Sequence, residues 1–172
     1  MLARRRSSMD DKTKKIIGVV VVVLLIWLGY NYFIKGPAQE GSQESIKIGF
    51  MGPLTGDAAS YGESELKAVQ VAIEEINSKG GIDGKIIDLI TEDGKCDPQA
   101  GGVSAQKLVN IDQVKIIIGG ACSGETLAAA KITDPAKVIL LSPSASSKDV
   151  TTAGDFVFRT YPSDALAGKI AA

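Results

Sequence analysis

The sequence predicts an α/β fold, a doubly wound parallel sheet preceded by a single transmembrane helix. Runs of β-branched residues alternate with segments of helical periodicity, and Gly- and Pro-rich loops separate them. One long apolar stretch without charged residues stands near the amino terminus. These observations divide the chain into a basic cytoplasmic segment over 1–15, an anchor over 16–34, a linker over 35–44 and a folded domain over 45–172.

The apolar stretch runs from Ile16 to Ile34. A helix of this length reaches roughly 28 Å, close to the ~30 Å hydrocarbon core of a bilayer. Aliphatic residues occupy its whole circumference, which argues against a buried helix of a soluble domain. Basic residues precede it, so the positive-inside rule keeps 1–15 in the cytoplasm and exports everything after Lys35. We therefore predict a signal anchor in the cytoplasmic membrane.

A cleaved signal peptide is the alternative interpretation of this stretch. Gly36-Pro37-Ala38 loosely fits a small-x-small cleavage site. However, the apolar stretch is long for a signal peptide, and the charged Lys35 directly precedes the site. Either interpretation places the domain outside the cytoplasm, where disulfides are permitted.

Composition changes after the apolar stretch. The segment from Gly36 to Glu44 is rich in Gly, Gln, Ser and Glu, which is typical of a flexible linker. The residues after this linker form at most one domain. Residues 16–172 hold 13 basic and 18 acidic residues, a balance that does not suggest binding to nucleic acid.

Five strand–helix units in series account for the domain. Strands are predicted over 45–50, 85–91, 114–118, 138–141 and 156–160. The first helix is predicted to begin with a capping box of Ser60 and Glu63 and to end at Gly80. Further helices are predicted over 98–110 and 124–132 and from about Ser163. Right-handed crossovers then give a parallel sheet with helices on both faces.

The sequence offers no recognisable catalytic centre. It contains no histidine, which removes the commonest general base and the commonest zinc ligand. Its glycines match neither the dinucleotide fingerprint nor the P-loop, and Ser123 is one residue out of register for a nucleophile elbow. Asp93 and Asp97 beside Cys96 fit a turn and a helix cap better than a metal site. We therefore predict no enzyme activity, no metal and no cofactor.

Both cysteines and several small hydroxyl residues fall where predicted strands end. Cys96 follows the second strand, Cys122 and Ser123 follow the third, and the loop 144–146 follows the fourth. In a parallel sheet these positions share the carboxyl edge, where such sheets bind ligands. Ser123 is predicted to cap a helix whose free amides suit a carboxylate, and Tyr61 to supply an apolar wall. On these residues alone, an ordinary helix cap and an ordinary Ser-rich loop remain open interpretations, since serine is common in both.

An ordered series of segments carries a family resemblance. The segments are KIGFMGPLTG at 47–56, YG at 61–62, AIEEINSKGGI at 72–82, DGKCDP at 93–98, IGGACS at 118–123 and LSPSAS at 141–146. Together they resemble the start of an extracytoplasmic branched-chain amino acid-binding protein of the ABC transporter class, from about residue 46 to the end.

The resemblance implies a type I periplasmic-binding-protein fold, in which two α/β lobes close over an amino acid. It also implies a disulfide between Cys96 and Cys122. In the family, the serine matching Ser123 contacts the ligand carboxylate. The loop matching Ser144, Ala145 and Ser146 offers a carbonyl, an amide and a hydroxyl to the carboxylate and ammonium. The aromatic position matching Tyr61 packs near the ligand side chain.

Two departures from the family pattern stand out. Serine occupies position 146, where the family has threonine. The chain ends at Ala172 inside a predicted helix, so we expect an amino-terminal lobe that lacks the second lobe and the acid that pairs with the ligand ammonium.

The resemblance implies a membrane-anchored substrate-binding component that delivers a branched-chain or related amino acid to ABC permease subunits. A ligand-sensing receptor ectodomain of the same fold is the alternative, although residues 1–15 are too short to hold a cytoplasmic signalling domain. An enzyme of this fold is the third function considered, and the absence of histidine counts against it.

Overall fold

The computed structural model describes residues 11–34 and 45–172. The chain divides into two compact units, Met1–Ser42 and Gln43–Ala172. The linker predicted over 35–44 and most of the basic segment lie outside the described residues.

The described part of the first unit is one helix, α1, over Asp11–Ile34. The large apolar side chains described in this helix are exposed, with Ile26 at 66% and Trp27 at 63%. Across residues 11–34 and 45–172, no helix meets the length and apolarity needed to cross a bilayer. The transmembrane helix predicted over Ile16 to Ile34 therefore has no support from the structure.

The second unit contains a five-stranded sheet in which every neighbouring pair is parallel. Its strands are β1 (Ile46–Gly52), β2 (Ile87–Asp93), β3 (Ile116–Gly119), β4 (Ile139–Ser142) and β5 (Val157–Arg159). Their order across the sheet is β2-β1-β3-β4-β5. The predicted parallel α/β fold is confirmed. Every strand begins one or two residues later than predicted, because pairing with a neighbour, rather than β-branched composition, decides where a strand begins.

Four helices connect or follow these strands. They are α2 (Ala59–Ser78), α3 (Pro98–Gln106), α4 (Ser123–Thr133) and α5 (Asp164–Ala171). Asp97 caps α3 as predicted, since Asp97 Oδ1 accepts a hydrogen bond from Ala100 N at 2.8 Å and proline follows it. The capping box predicted at Ser60 is wrong, because α2 already begins at Ala59 and Ser60 lies inside its first turn.

Two short helical turns complete the second unit. A π-helical turn over Lys107–Ile111 continues α3, and a 3₁₀ turn over Lys148–Thr152 precedes β5.

The core lies around the central strands. Met51 of β1, Ile117 of β3 and Leu140 of β4 are fully buried, and Leu108 covers them. Gly119, at the end of β3, adopts a φ of +142°, and a Cβ there would collide with the backbone of Met51. The carboxyl ends of β1 and β3 therefore meet more closely than any residue with a side chain would allow.

Candidate ligand-binding site

The candidate site lies along the carboxyl edge of the sheet. Because β1 sits between β2 and β3, the connection after β1 runs toward β2 whereas the connection after β3 runs the opposite way, toward β4, which opens a crevice at this point. The structure places all five predicted ligand residues in segments that follow β1, β3 and β4 at this edge. These residues are Tyr61, Ser123, Ser144, Ala145 and Ser146.

The predicted disulfide between Cys96 and Cys122 is confirmed. The two Cα atoms are 5.2 Å apart, and 26 positions separate the residues in sequence. Cys96 follows β2 and Cys122 follows β3, so the bond joins the segments on either side of β1. It fixes the two loops that flank the crevice relative to each other.

Ser123 is the first residue of α4, and Cys122 is its N-cap. The prediction that Ser123 itself caps this helix is therefore wrong by one position. Ser123 Oγ accepts a hydrogen bond from Ser147 N at 3.1 Å, which joins the segment after β3 to the loop after β4. Because the hydroxyl is used here as an acceptor, its single hydrogen remains available for an anion near the positive end of the α4 dipole.

Polar groups of the loop after β4 form hydrogen bonds with neighbouring segments and with the end of β4. Ser144 Oγ lies 2.7 Å from Glu65 Oε1 and 2.8 Å from Ala121 O. Ala145 is buried, and its N–H donates to Ser142 Oγ at 3.0 Å.

Ser146 meets α5 at two points. Ser146 Oγ donates to Asp164 Oδ2 at 3.1 Å, and Asp164 N donates to Ser146 O at 2.9 Å. The Ser146 hydroxyl therefore keeps its lone pairs for a hydrogen-bond donor.

Arg159, at the end of β5, supports this loop and is missed by the sequence reasoning. Its guanidinium donates to Ser147 O at 2.7 Å and to Ser146 O at 3.3 Å, and it also contacts Thr151 Oγ1. Arg159 is the only arginine after position 6 of the sequence, a signal that marks it as unusual without revealing its partners.

Glu125 is a second residue that the sequence reasoning misses. It is fully buried, and its carboxylate accepts hydrogen bonds from Cys122 N at 3.0 Å and Cys96 N at 3.2 Å. Burial raises the pKa of Glu125, although these backbone N–H groups oppose the shift. Glu125 at the third position of α4 matches a capping box, which is a sequence signal, but its bond to Cys96 is not local.

Three glycines leave room for the Glu125 side chain. A Cβ on Gly101 would lie 2.6 Å from Glu125 Cβ, and one on Gly120 would lie 2.7 Å from Glu125 Cγ. A Cβ on Gly94 would collide with Glu125 Oε2. The absence of side chains at these positions thus allows α3, α4 and the segment after β2 to close around one carboxylate.

Glu65 is the third such residue and connects α2 to the loop after β4. Burial raises the pKa of Glu65, and the hydrogen bond from Ser144 opposes the shift. Tyr61 lies one helical turn before Glu65, so the two share a face of α2, and Tyr61 is 54% exposed. The aromatic ring is therefore open to the solvent beside this loop.

The two aspartates near Cys96 have structural partners. Asp93 Oδ1 accepts from Leu54 N at 2.9 Å and from Lys95 N at 3.0 Å. Partial burial acts to raise the pKa of Asp93, but hydrogen bonds from Thr55 and these amides outweigh it and lower the pKa. Within residues 11–34 and 45–172, no cluster of acidic, cysteine or histidine side chains is arranged to hold a metal.

The parallel sheet and its helices match one lobe of a type I periplasmic binding protein. The chain belongs to the periplasmic binding protein family, whose family model matches residues 45–171.

Individual relatives match over the same region. The leucine-, isoleucine-, valine-, threonine- and alanine-binding protein of Pseudomonas aeruginosa is 36% identical over 129 residues, which cover 74% of this chain and 34% of the relative. The Leu/Ile/Val-binding protein of Escherichia coli is 34% identical over 130 residues, covering 75% and 35%. The chain thus spans about a third of the length of these relatives.

Solved structures agree with this assignment. The branched-chain amino acid transporter substrate-binding protein of Streptococcus pneumoniae, in complex with isoleucine, gives a TM-score of 0.68 at 38% identity and covers 70% of this chain and 35% of its own. An ABC transporter substrate-binding protein of Desulfitobacterium hafniense, in complex with leucine, gives 0.62 at 29% identity, covering 74% and 39%.

Proposed function

We propose that this chain is the amino-terminal ligand-binding lobe of an ABC transporter substrate-binding component, and that it binds a branched-chain or related amino acid. The observation that carries the proposal is the opposite hydrogen-bonding state of two hydroxyls at one edge. Ser123 Oγ has a free hydrogen, whereas Ser146 Oγ has free lone pairs. An α-amino acid needs both, a donor for its carboxylate and an acceptor for its ammonium.

The carboxylate is assigned to the amino end of α4. Ser123 is the first residue of α4, where the first turn of a helix has backbone amides without partners within the helix and the helix dipole favours a negative charge. A hydrogen bond to a charged group is worth about 1.5–3 kcal/mol, so this contact supplies a large share of the lobe's affinity.

The ammonium is assigned to the loop 144–146, where hydroxyl and carbonyl oxygens accept hydrogen bonds. Tyr61, exposed on α2, supplies an apolar wall for the ligand side chain. The names of the relatives support leucine, isoleucine and valine as first candidates. Catalysis forms no part of the proposal, since relatives of this family are named as binding proteins.

The proposed location is the extracytoplasmic side of the cytoplasmic membrane, with ABC permease subunits as partners. The disulfide supports export, because such bonds persist in oxidising compartments. Attachment through Ile16 to Ile34 stays a prediction from the sequence. Alkaline carbonate extraction tests it: retention in the membrane pellet supports an anchor, and release into the supernatant contradicts it.

Amide-detected NMR titration of the isotope-labelled chain tests the binding proposal. Leucine is compared with 4-methylpentanoate, which lacks the ammonium, and with isopentylamine, which lacks the carboxylate. We expect weak binding of leucine, because one lobe leaves charged contacts open to water. Shifts should centre on Ser123 for the acid, on Ser146 for the amine and on both for leucine.

The opposite edge of the sheet provides the internal control. A cavity of about 460 Å³, lined by residues including Lys47, Asp112 and Lys115, lies at the amino ends of the strands. Shifts that cluster there, or equal responses to leucine and isopentylamine at Ser123, would contradict the proposed site.

A further inference from the structure

The hydroxyl of Ser144 faces two acceptors but has one hydrogen. Ser144 Oγ lies 2.7 Å from Glu65 Oε1 and 2.8 Å from Ala121 O. Both are hydrogen-bond distances. A backbone carbonyl cannot donate, so both contacts are hydrogen bonds only if Glu65 supplies the second hydrogen.

The surroundings of Glu65 favour a protonated carboxyl. Its Oε2 atom is buried without a hydrogen-bond partner among the described residues, an arrangement that costs far more for a charged oxygen than for a neutral carbonyl. The ionisable group that acts across from it on α4 is Glu125, whose pKa is raised by burial and further by Glu65, so the two carboxyl groups disfavour being charged together. The loop side contributes the neutral Ser144, and Asp164 of α5 contacts Ser146 at the far end of the loop.

We propose that Glu65 is a positioning residue that donates its carboxyl O–H to Ser144 Oγ and thereby directs the Ser144 hydroxyl to Ala121 O. This relay ties three elements together at the site: α2, the segment after β3 and the loop after β4. When Glu65 ionises, Ser144 must turn its hydrogen to Glu65, and the bond to Ala121 O is lost. The consequence for ligand binding rests on the proposed function, because it requires the loop 144–146 to contact the ligand.

Two substitutions at Glu65 separate positioning from simple packing. Glu65→Gln keeps the shape and supplies a permanent N–H donor to Ser144 Oγ, whereas Glu65→Ala removes the donor. Glu63→Gln, at an exposed position two residues earlier on α2, is the matched control. Leucine titrations by NMR are run on each protein from about pH 5 to about pH 8, a range in which leucine keeps both its charges.

Wild-type affinity should fall as the pH rises through the titration of Glu65. Glu65→Gln should bind with the affinity of the low-pH wild type at every pH, within about twofold. Glu65→Ala should bind about tenfold more weakly, the effect of one hydrogen bond at this strength. Equal behaviour of the Gln and Ala variants, or a wild-type pH dependence that survives in Glu65→Gln, would overturn the proposal.

A second measurement does not depend on ligand. Carbon-detected NMR follows the carboxyl groups of Glu65 and Glu63 with pH, and the midpoint of Glu65 should lie above that of Glu63. A midpoint at or below that of Glu63 overturns the relay even where leucine binds. Conversely, a raised midpoint together with no leucine binding at any pH supports the relay and rejects the proposed function.

Discussion

Removing the buried carboxylate of Glu125 should destabilise the domain strongly. In Glu125→Ala the partly buried N–H groups of Cys122 and Cys96 lose their acceptor. An unsatisfied donor costs about 1–3 kcal/mol when fully buried and less where water reaches it, so the free energy of unfolding should fall by about 2–4 kcal/mol, before any cavity is counted. In Glu125→Gln one oxygen remains, and a side-chain NH₂ faces one backbone N–H. We therefore expect a smaller loss of about 1–3 kcal/mol.

The pH dependence of this effect has a definite sign. Because burial raises the pKa of Glu125 in the folded state, its contribution to stability is fully present below its unfolded pKa and is lost as the pH rises through the folded pKa. Wild-type stability should therefore decrease from about pH 5 to about pH 8. The raised pKa of Glu65 also makes the folded state less stable as the pH rises. Asp93 has a lowered pKa, so its contribution to stability is present at neutral pH and is lost only at more acidic pH.

Urea unfolding of the oxidised proteins at the two pH values measures both effects. Glu74→Gln, at an exposed position on α2, is the control for loss of a carboxylate and should leave stability nearly unchanged. Glu125→Gln should reduce the pH slope that the wild type shows. An unchanged unfolding midpoint in Glu125→Ala, or an undiminished slope in Glu125→Gln, would refute the reasoning.

Three further predictions concern the edge of the sheet. Replacing Cys96 and Cys122 together by serine should lower the free energy of unfolding by about 3 kcal/mol in the chain-entropy model, as measured by urea titration, and an unchanged midpoint would contradict this. Ser123→Ala should weaken leucine binding about ten- to a hundredfold in a protein that carries both lobes, while Lys148→Ala has little effect; calorimetry on the two variants decides. Arg159→Lys should speed hydrogen exchange in the loop after β4, because an ammonium cannot reach several carbonyls at once, and equal protection in both proteins would reject that role.

Sequence patterns predicted the elements of this fold better than their arrangement. Helix and strand periods, glycines and the Asp97-Pro98 cap are local signals, so each of the five strands was predicted within two residues of its start. The order β2-β1-β3-β4-β5 came from pairing between segments distant in the chain, which no local pattern specifies. Ser123 is predicted to cap α4, whereas the structure makes it the first helical residue, because the capping box joins Cys122 to Glu125.

The sequence by itself determined the alternation of strands and helices, the position of the hydroxyl residues after the strands and, through the family resemblance, the Cys96–Cys122 pair. Only the tertiary structure decided which charged side chains support that edge. Glu125 reaches Cys96 across 29 positions, and Glu65 meets Ser144 across 79. A carboxylate can be buried in this way only where glycines leave room for it, as at Glu125, or where a loop packs over it, as at Glu65. Those are properties of packing in three dimensions, and a linear pattern carries no record of them.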